Sequence, residues 1–124
     1  MKASIVLAAD DPAALAHFYG SLLEVEPQLG LGASHWRLPW PAGGFLEFYL
    51  PSRARPQPPQ QGRLALCLQR QSDDTGAVAI LNTWIATTLA LGASLLEAAR
   101  PEAFGAEAWL LDPEGNRLLL LVLA

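Results

Sequence analysis

Hydrophobic and polar positions divide the chain into two stretches that share one order of elements. In the first stretch, the apolar run 3–8 predicts a strand, and the acidic pair before Pro12 is typical of a helix start. Apolar side chains then recur at helical spacing and predict a helix of roughly three turns. Residues 34–38 and 44–50 are predicted as strands, because a turn region rich in proline and glycine separates them.

The second stretch repeats this order after a segment rich in proline and glutamine. Residues 51–61 are predicted as a linker, since their prolines favour an extended path without hydrogen bonds. Beyond the linker we predict a strand over 63–69, a helix over 76–91 and a strand over 94–98. The repeat depends on this order of elements and not on any shared sequence.

A tight turn near the end of the chain is the clearest local signal. It runs from Asp112 to Asn116 and separates the apolar runs 108–111 and 117–122. The Asp112 carboxylate can accept hydrogen bonds from the turn backbone, and Gly115 tolerates the positive φ that a short connection requires. These features predict a β-hairpin that closes the second stretch.

Composition limits the classes of partner. The chain has 124 residues, of which 52% are hydrophobic, and this suits one compact soluble domain. A formal net charge of −4 without a cluster of basic residues argues against binding to nucleic acid or to an anionic membrane surface. Cys67 is the single cysteine, so no internal disulfide can form, and we expect a cytoplasmic protein.

The two stretches predict one α+β domain over 1–124. Modules 1–50 and 62–124, joined by the linker 51–61, would each form a curved mixed sheet of the βαβββ type with one helix on its outer face. The other face of such a sheet stays apolar unless a second sheet closes over it. We therefore expect the two sheets to surround a cavity.

Short signatures in both halves follow the order found in a known superfamily. They are 5–7, Asp11, Phe18, Tyr19, Leu22, Leu23, Asp73, Asp74, 91–93, Pro101, Gly105 and 112–116. On these residues the chain resembles the vicinal oxygen chelate superfamily, which includes glyoxalase I, bleomycin-resistance proteins and extradiol dioxygenases. The resemblance spans nearly the whole chain and implies a homodimer.

The same resemblance implies where a metal ion would bind. Metalloenzymes of the superfamily place four ligands on the first and last strands of the two halves, and these positions fall on Ser4, Glu47, Arg63 and Leu119. Only Glu47 is a competent ligand, because a cation and an alkyl group offer no lone pair to a divalent metal. We therefore expect no metal ion and no other cofactor.

Glu47 and Arg63 carry opposite charges at two of these converging positions. By the superfamily's geometry they would approach within bonding reach across the cavity, at a subunit interface, and form a structural ion pair. A rival interpretation is that Arg63 binds an anionic ligand while Glu47 is the catalytic acid or base. Both alternatives stay open at the level of the sequence.

Strand alternation names the expected cavity walls. It puts Phe45 and Tyr49 on the cavity face with Glu47, and it puts Leu46, Phe48 and Leu50 on the helix face. Aromatic side chains near a loop can also stack on a planar ligand. The full set of predicted ligand-binding residues is Ser4, Phe45, Tyr49, Arg63, Cys67, Arg117, Leu119, Trp36 and Trp40.

The remaining candidate residues have simpler interpretations. His17 and His35 are interpreted as ordinary surface or rim histidines. Cys67 is interpreted as a small buried hydrophobe, and Trp84 as a core residue of the second helix.

Two classes of function remain, besides a structural or regulatory dimer with a collapsed cavity. The first is a metal-free small-molecule binding protein of the glyoxalase/bleomycin-resistance type, with an apolar or planar ligand. The alternative is a divergent lyase, isomerase or dioxygenase that uses Glu47 as acid or base, or as the remaining metal ligand.

Overall fold

The computed structural model describes residues 1–41, 43–57 and 64–124. They belong to two compact units, Met1–Pro59 and Gln60–Ala124. Each unit has a four-stranded mixed sheet and one helix, which confirms the α+β fold of two modules. Part of the predicted linker lies outside the described residues, and the assignment of one domain to the whole chain stays a prediction.

The first unit begins with a strand and a helix, followed by three strands. Its elements are β1 (Ser4–Ala8), α1 (Pro12–Leu23), β2 (Gln28–Leu29), β3 (Trp36–Pro39) and β4 (Phe45–Tyr49). The strand order is β1-β4-β3-β2, in which β1 is parallel to β4 and the other neighbours are antiparallel. Strand β4 therefore lies inside the sheet, between β1 and β3.

Helix α1 begins as the sequence predicts. The Asp11 side chain accepts a hydrogen bond of 3.1 Å from the backbone N–H of Ala14, and Pro12 occupies the first turn. The helix covers one face of the sheet, where the rings of Tyr19 and Phe48 stack with their centroids 6.0 Å apart. Leu46 and Phe48 are 0% exposed, which confirms the predicted helix face of β4.

Leu50 departs from this alternation. It follows the last residue of β4, it is 47% exposed, and it lies on the open side of the sheet rather than against the helix. The prediction for Leu50 was wrong, because side chains alternate between faces only while the strand continues.

The second unit repeats the order of strand, helix and three strands. Its elements are β5 (Leu66–Gln71), α2 (Ala77–Ala90), β6 (Ser94–Glu102), β7 (Gly105–Leu111) and β8 (Arg117–Leu123), with the strand order β5-β8-β7-β6. Strand β5 begins three residues later than predicted, at Leu66 rather than 63. Strand β6 extends beyond the predicted 94–98, because its pairing with β7 continues through two register shifts to Glu102.

The turn between β7 and β8 confirms the predicted hairpin. Oδ1 of Asp112 accepts hydrogen bonds of 2.9 Å from the backbone N–H groups of Glu114 and Asn116. Gly115 has φ 86°, in the region that favours glycine. The buried Asp112 carboxylate thus organises the whole connection.

Alternation along β8 supplies part of the core of the second unit. Leu118, Leu120 and Val122 are fully buried, whereas Leu119 and Leu121 point to the opposite face and are half-buried. Trp84 of α2 is also buried, which confirms its predicted place in the core. Among the described residues, we find no helix with the length and apolar character needed to span a membrane.

Candidate functional site

A groove of about 600 Å³ lies on the open face of the first sheet. It is formed within the first unit by β1, β4, the loop that precedes β3 and the segment that follows β4. Its described lining residues are Val6, Leu31, Gly32, Ser34, His35, Glu47, Tyr49, Leu50, Ser52 and Arg55. The mixture of apolar walls and a few polar groups is typical of small-molecule sites.

Strand register places Glu47 in the middle of this face. Its neighbour on β1 is Val6 and its neighbour on β3 is Arg37. Ser4, another of the predicted site positions, is paired with Phe45. Ser4 therefore lies two register positions from Glu47, at the start of β1.

Arg37 is the cation that the structure places beside Glu47. Its Nη2 lies 2.9 Å from Oε1 of Glu47, and the two side chains are 30% and 15% exposed. The guanidinium also stacks on the Phe45 ring, 4.1 Å from the ring centroid. Contacts on two sides thus fix Arg37 against the carboxylate. Arg63 lies outside the described residues, so its pairing with Glu47 stays a prediction.

His35 is part of the groove wall, where its side chain is 16% exposed. Its Nδ1 accepts a hydrogen bond of 2.6 Å from the backbone N–H of Leu31, so the neutral ring carries its proton on Nε2. Nε2 lies 3.6 Å from Oε1 of Glu47. The interpretation of His35 as an ordinary surface or rim histidine was therefore incomplete, because the loop before β3 turns the ring inward.

That loop is held by its own backbone. The N–H of Gly30 donates to the carbonyl of His35 at 2.6 Å, and the N–H of His35 donates to the carbonyl of Gly32 at 3.1 Å. The His35 ring packs against Gly30 so closely that a Cβ on residue 30 would collide with it. These contacts also explain why β3 begins at Trp36 rather than at 34.

The other residues predicted in the first unit are divided between three places. Tyr49 lines the groove. Ser4, Phe45 and Trp40 line a separate, shallow depression of about 190 Å³. Trp36 pairs with Phe48 in register and therefore shares the helix face, where its ring is 5.4 Å from that of His17. The structure does not bring Trp36 or Trp40 into the groove.

Cys67, Leu119 and Arg117 lie in the second unit. Cys67 is paired with Leu119 in register, and the Arg117 guanidinium is 6.0 Å from the centroid of the Trp109 ring. Burial raises the pKa of the Cys67 thiol, an effect that a hydrogen bond with Gln69 partly offsets. The thiol is half-buried, so Cys67 is more exposed than the small buried hydrophobe that the sequence predicts.

Few of the side chains that line the groove are of a type that binds metal ions. Within 1–41, 43–57 and 64–124, no group of three or more His, Cys, Asp or Glu side chains is arranged to hold a metal ion. In the groove itself, His35 and Glu47 are the two described side chains of this type. Chemically, the groove offers an apolar surface with one carboxylate and one imidazole.

Replacement of Arg37 by methionine should lower the free energy of unfolding by roughly 1–2 kcal/mol, because it leaves the largely buried Glu47 carboxylate without its cation. Urea denaturation followed by circular dichroism measures the loss. The double variant Arg37→Met, Glu47→Gln should recover more than half of it, since a neutral amide needs no counter-charge. Arg53→Met, at an exposed site, is the control. Equal losses in both single arginine variants would contradict a stabilising role for the pair.

The chain matches a family model described as a Glyoxalase-like domain, over residues 4–121. The match covers most of the chain, so the protein belongs to the glyoxalase-like family and, with it, to the vicinal oxygen chelate superfamily. The resemblance predicted from the sequence is thereby confirmed. A comparison with curated proteins found no match.

Solved structures with the same fold include three bacterial proteins. A glyoxalase/bleomycin resistance protein/dioxygenase family enzyme from Burkholderia phytofirmans has a TM-score of 0.79 at 15% identity, over 98% of this chain and 97% of that one. A glyoxalase-related enzyme from Fulvimarina pelagi has a TM-score of 0.74 at 20% identity, over 98% and 87%. A glyoxalase/bleomycin resistance protein from Albidiferax ferrireducens has 0.69 at 20% identity, over 98% of each chain. At these identities the likeness shows the fold alone.

Proposed function

We propose that the protein binds an apolar or planar small molecule in the groove of the first unit, without a metal ion. One observation carries the proposal: exposed apolar side chains such as Val6 and Leu50 share a concave surface with the largely buried Glu47 carboxylate. Its volume of about 600 Å³ suits a small organic ligand. Membership of the glyoxalase-like family supports small-molecule binding or a related enzymatic role.

Binding can be tested by nuclear magnetic resonance with a fragment library. Fragments that bind should shift the backbone amide signals of Val6, Glu47 and Tyr49 more than those of buried residues on the helix face. Val6→Lys, which fills the groove, should abolish these shifts, whereas Val78→Lys at an exposed helical site should leave them unchanged. A library that moves no groove signal, or shifts that survive Val6→Lys, would count against the proposal.

The metal-free part of the proposal is supported by what surrounds Glu47. A guanidinium nitrogen already lies 2.9 Å from Oε1 and balances its charge. Metal sites of the zinc type require several ligands at about 2.0–2.3 Å. Elemental analysis of purified protein should therefore find no stoichiometric zinc, nickel, iron or manganese. A stoichiometric ion that disappears in Glu47→Gln would show that Glu47 is a ligand after all.

A second candidate function is acid–base catalysis by Glu47. It is favoured by the position of the carboxylate, which lines the groove with Oε1 2.9 Å from Nη2 of Arg37 and 3.6 Å from Nε2 of His35. A carboxylate that lines a groove can take up a proton from a bound ligand. Deuterium exchange into fragments that bind would support catalysis if Glu47→Gln abolished the exchange but preserved binding. Absence of exchange in all bound fragments would favour a binding protein.

The homodimer and the cytoplasmic location stay predictions. Sedimentation velocity of the purified chain measures its mass in solution and would test the dimer directly. A monomer across the accessible concentration range would contradict the expectation from the superfamily.

A further inference from the structure

We propose that the ligand of this groove is a monocarboxylic acid with an apolar body, and that Arg55 binds its carboxylate. This inference rests on the proposed function and adds the chemical class of the ligand. It starts from the charges that line the groove. Apart from His35, the charged side chains of the described lining are Glu47 and Arg55.

Glu47 is already neutralised by the protein itself. Arg37 contacts its Oε1 at 2.9 Å and is held there by the Phe45 ring. A second cation brought by a ligand would therefore gain less from Glu47 than from an unpaired carboxylate. The pairing argues against a cationic ligand as the main occupant.

Arg55 differs from Glu47, because no described side chain forms an ion pair with it. Its guanidinium forms no ion pair or hydrogen bond with any residue in the described ranges. Its backbone, in contrast, is fixed. The N–H of Ser52 donates to the Arg55 carbonyl at 2.8 Å, and the N–H of Arg55 donates to the Ser52 carbonyl at 3.1 Å. The turn thus presents one cation at the groove from a defined position.

Two serine hydroxyl groups line the same groove as Arg55. Ser52 Oγ accepts a hydrogen bond of 3.2 Å from the N–H of Arg55, which leaves its own O–H free to donate. Ser34 also lines the groove. A guanidinium and hydroxyl donors in the lining of one groove match the two oxygens of a carboxylate.

The apolar part of the groove surface indicates what the uncharged part of the ligand is made of. Val6, Leu31 and Leu50 are exposed, and together with Tyr49 they offer an aliphatic and aromatic surface beside the cation. One unbalanced cation suits a single negative charge, and the apolar walls suit a hydrocarbon chain or ring. An acid of the phenylpropionate type combines both features.

The test uses the full-length protein and two probes of the same shape, 3-phenylpropionate and the uncharged 3-phenylpropionamide. Calorimetric or magnetic-resonance titration should give a Kd for the carboxylate that is at least tenfold lower. Arg55→Gln should weaken carboxylate binding roughly tenfold to a hundredfold, the effect of one charge-assisted hydrogen-bonded contact. It should leave amide binding unchanged. Arg53→Gln is the matched control, since Arg53 belongs to the same exposed segment but does not line the groove.

The outcomes separate this inference from the proposed function. If the amide shifts the groove signals as strongly as the acid does, or if Arg53→Gln and Arg55→Gln weaken the acid equally, the assignment of a carboxylate to Arg55 is wrong while groove binding stands. If neither probe binds but neutral or cationic fragments do, the ligand class is wrong. If no fragment of any charge moves a groove signal, the proposed function itself fails.

Discussion

Replacement of Phe48 by alanine should lower the free energy of unfolding by about 3–5 kcal/mol. Phe48 is 0% exposed and lies between β4 and α1, where its ring stacks on that of Tyr19 at 6.0 Å. Removal of the ring deletes buried apolar surface and leaves a cavity that the helix and the sheet cannot fully close.

The next residue along the strand provides the control. Tyr49 faces the groove and is only half-buried, so Tyr49→Ala should cost about 1 kcal/mol or less. Urea denaturation monitored by circular dichroism gives both values under one set of conditions. Equal losses at the two positions would mean that the faces of β4 are not divided into a core side and an open side.

Replacement of Gly105 by alanine should cost about 3 kcal/mol or more. Gly105 has φ 142°, and a Cβ at this position would collide with the carbonyl oxygen of Val122. The backbone there cannot move away easily, because Gly105 is paired with Glu102 on one side and with Leu123 on the other. Relief of the collision would therefore break strand pairing in the second unit.

Gly115→Ala separates the collision from the unusual backbone angle. Gly115 has φ 86°, but a Cβ there would meet open space. Its replacement should cost only the roughly 1–2 kcal/mol of an L-residue in the left-handed region. The difference between the two variants, measured by urea denaturation, is the contribution of the collision. Similar losses would show that the approach of Val122 to Gly105 is looser than described.

The fold could be predicted from the sequence because its signals are local. The Asp112 turn, the helix start at Asp11 and the alternation along β4 each act within a few residues. Each of them is found in the structure where the pattern predicts it. The end of β4 was not predicted correctly, because the alternating pattern does not show that the strand ends at Tyr49, before Leu50.

The ion pair between Arg37 and Glu47 is not apparent from the sequence, because it depends on the register of β3 against β4. Arg37 and Glu47 face each other because Pro39 pairs with Phe45 at the end of the same hairpin. The predicted strand ends at 38 and 44 would instead place Arg37 opposite Phe45, so the pair depends on a register that the sequence does not give. The resemblance to metal sites instead predicted Arg63 as the partner of Glu47. In the structure, the cation beside Glu47 is Arg37 of the neighbouring strand β3.

His35 could not have been placed from the sequence. Its position depends on three hydrogen bonds within the loop before β3, including the one that its own Nδ1 accepts from Leu31. Such a loop has no periodicity and no capping motif to reveal it. Its one readable hint is Gly30, whose missing side chain makes room for the ring.

The run of leucines in β8 has a consequence for how this strand finds its place. A slip of one residue in the C-terminal direction would replace Leu118, Leu120 and Val122 on the buried face with Leu119, Leu121 and Leu123, so this face would still receive only aliphatic side chains. Hydrophobicity therefore cannot distinguish the correct alignment from the shifted one. The alignment of β8 is instead determined by the Asp112 carboxylate, which fixes the turn before the strand. Loss of this one acid should yield a mixture of misaligned strands in a chain that still collapses around its leucines.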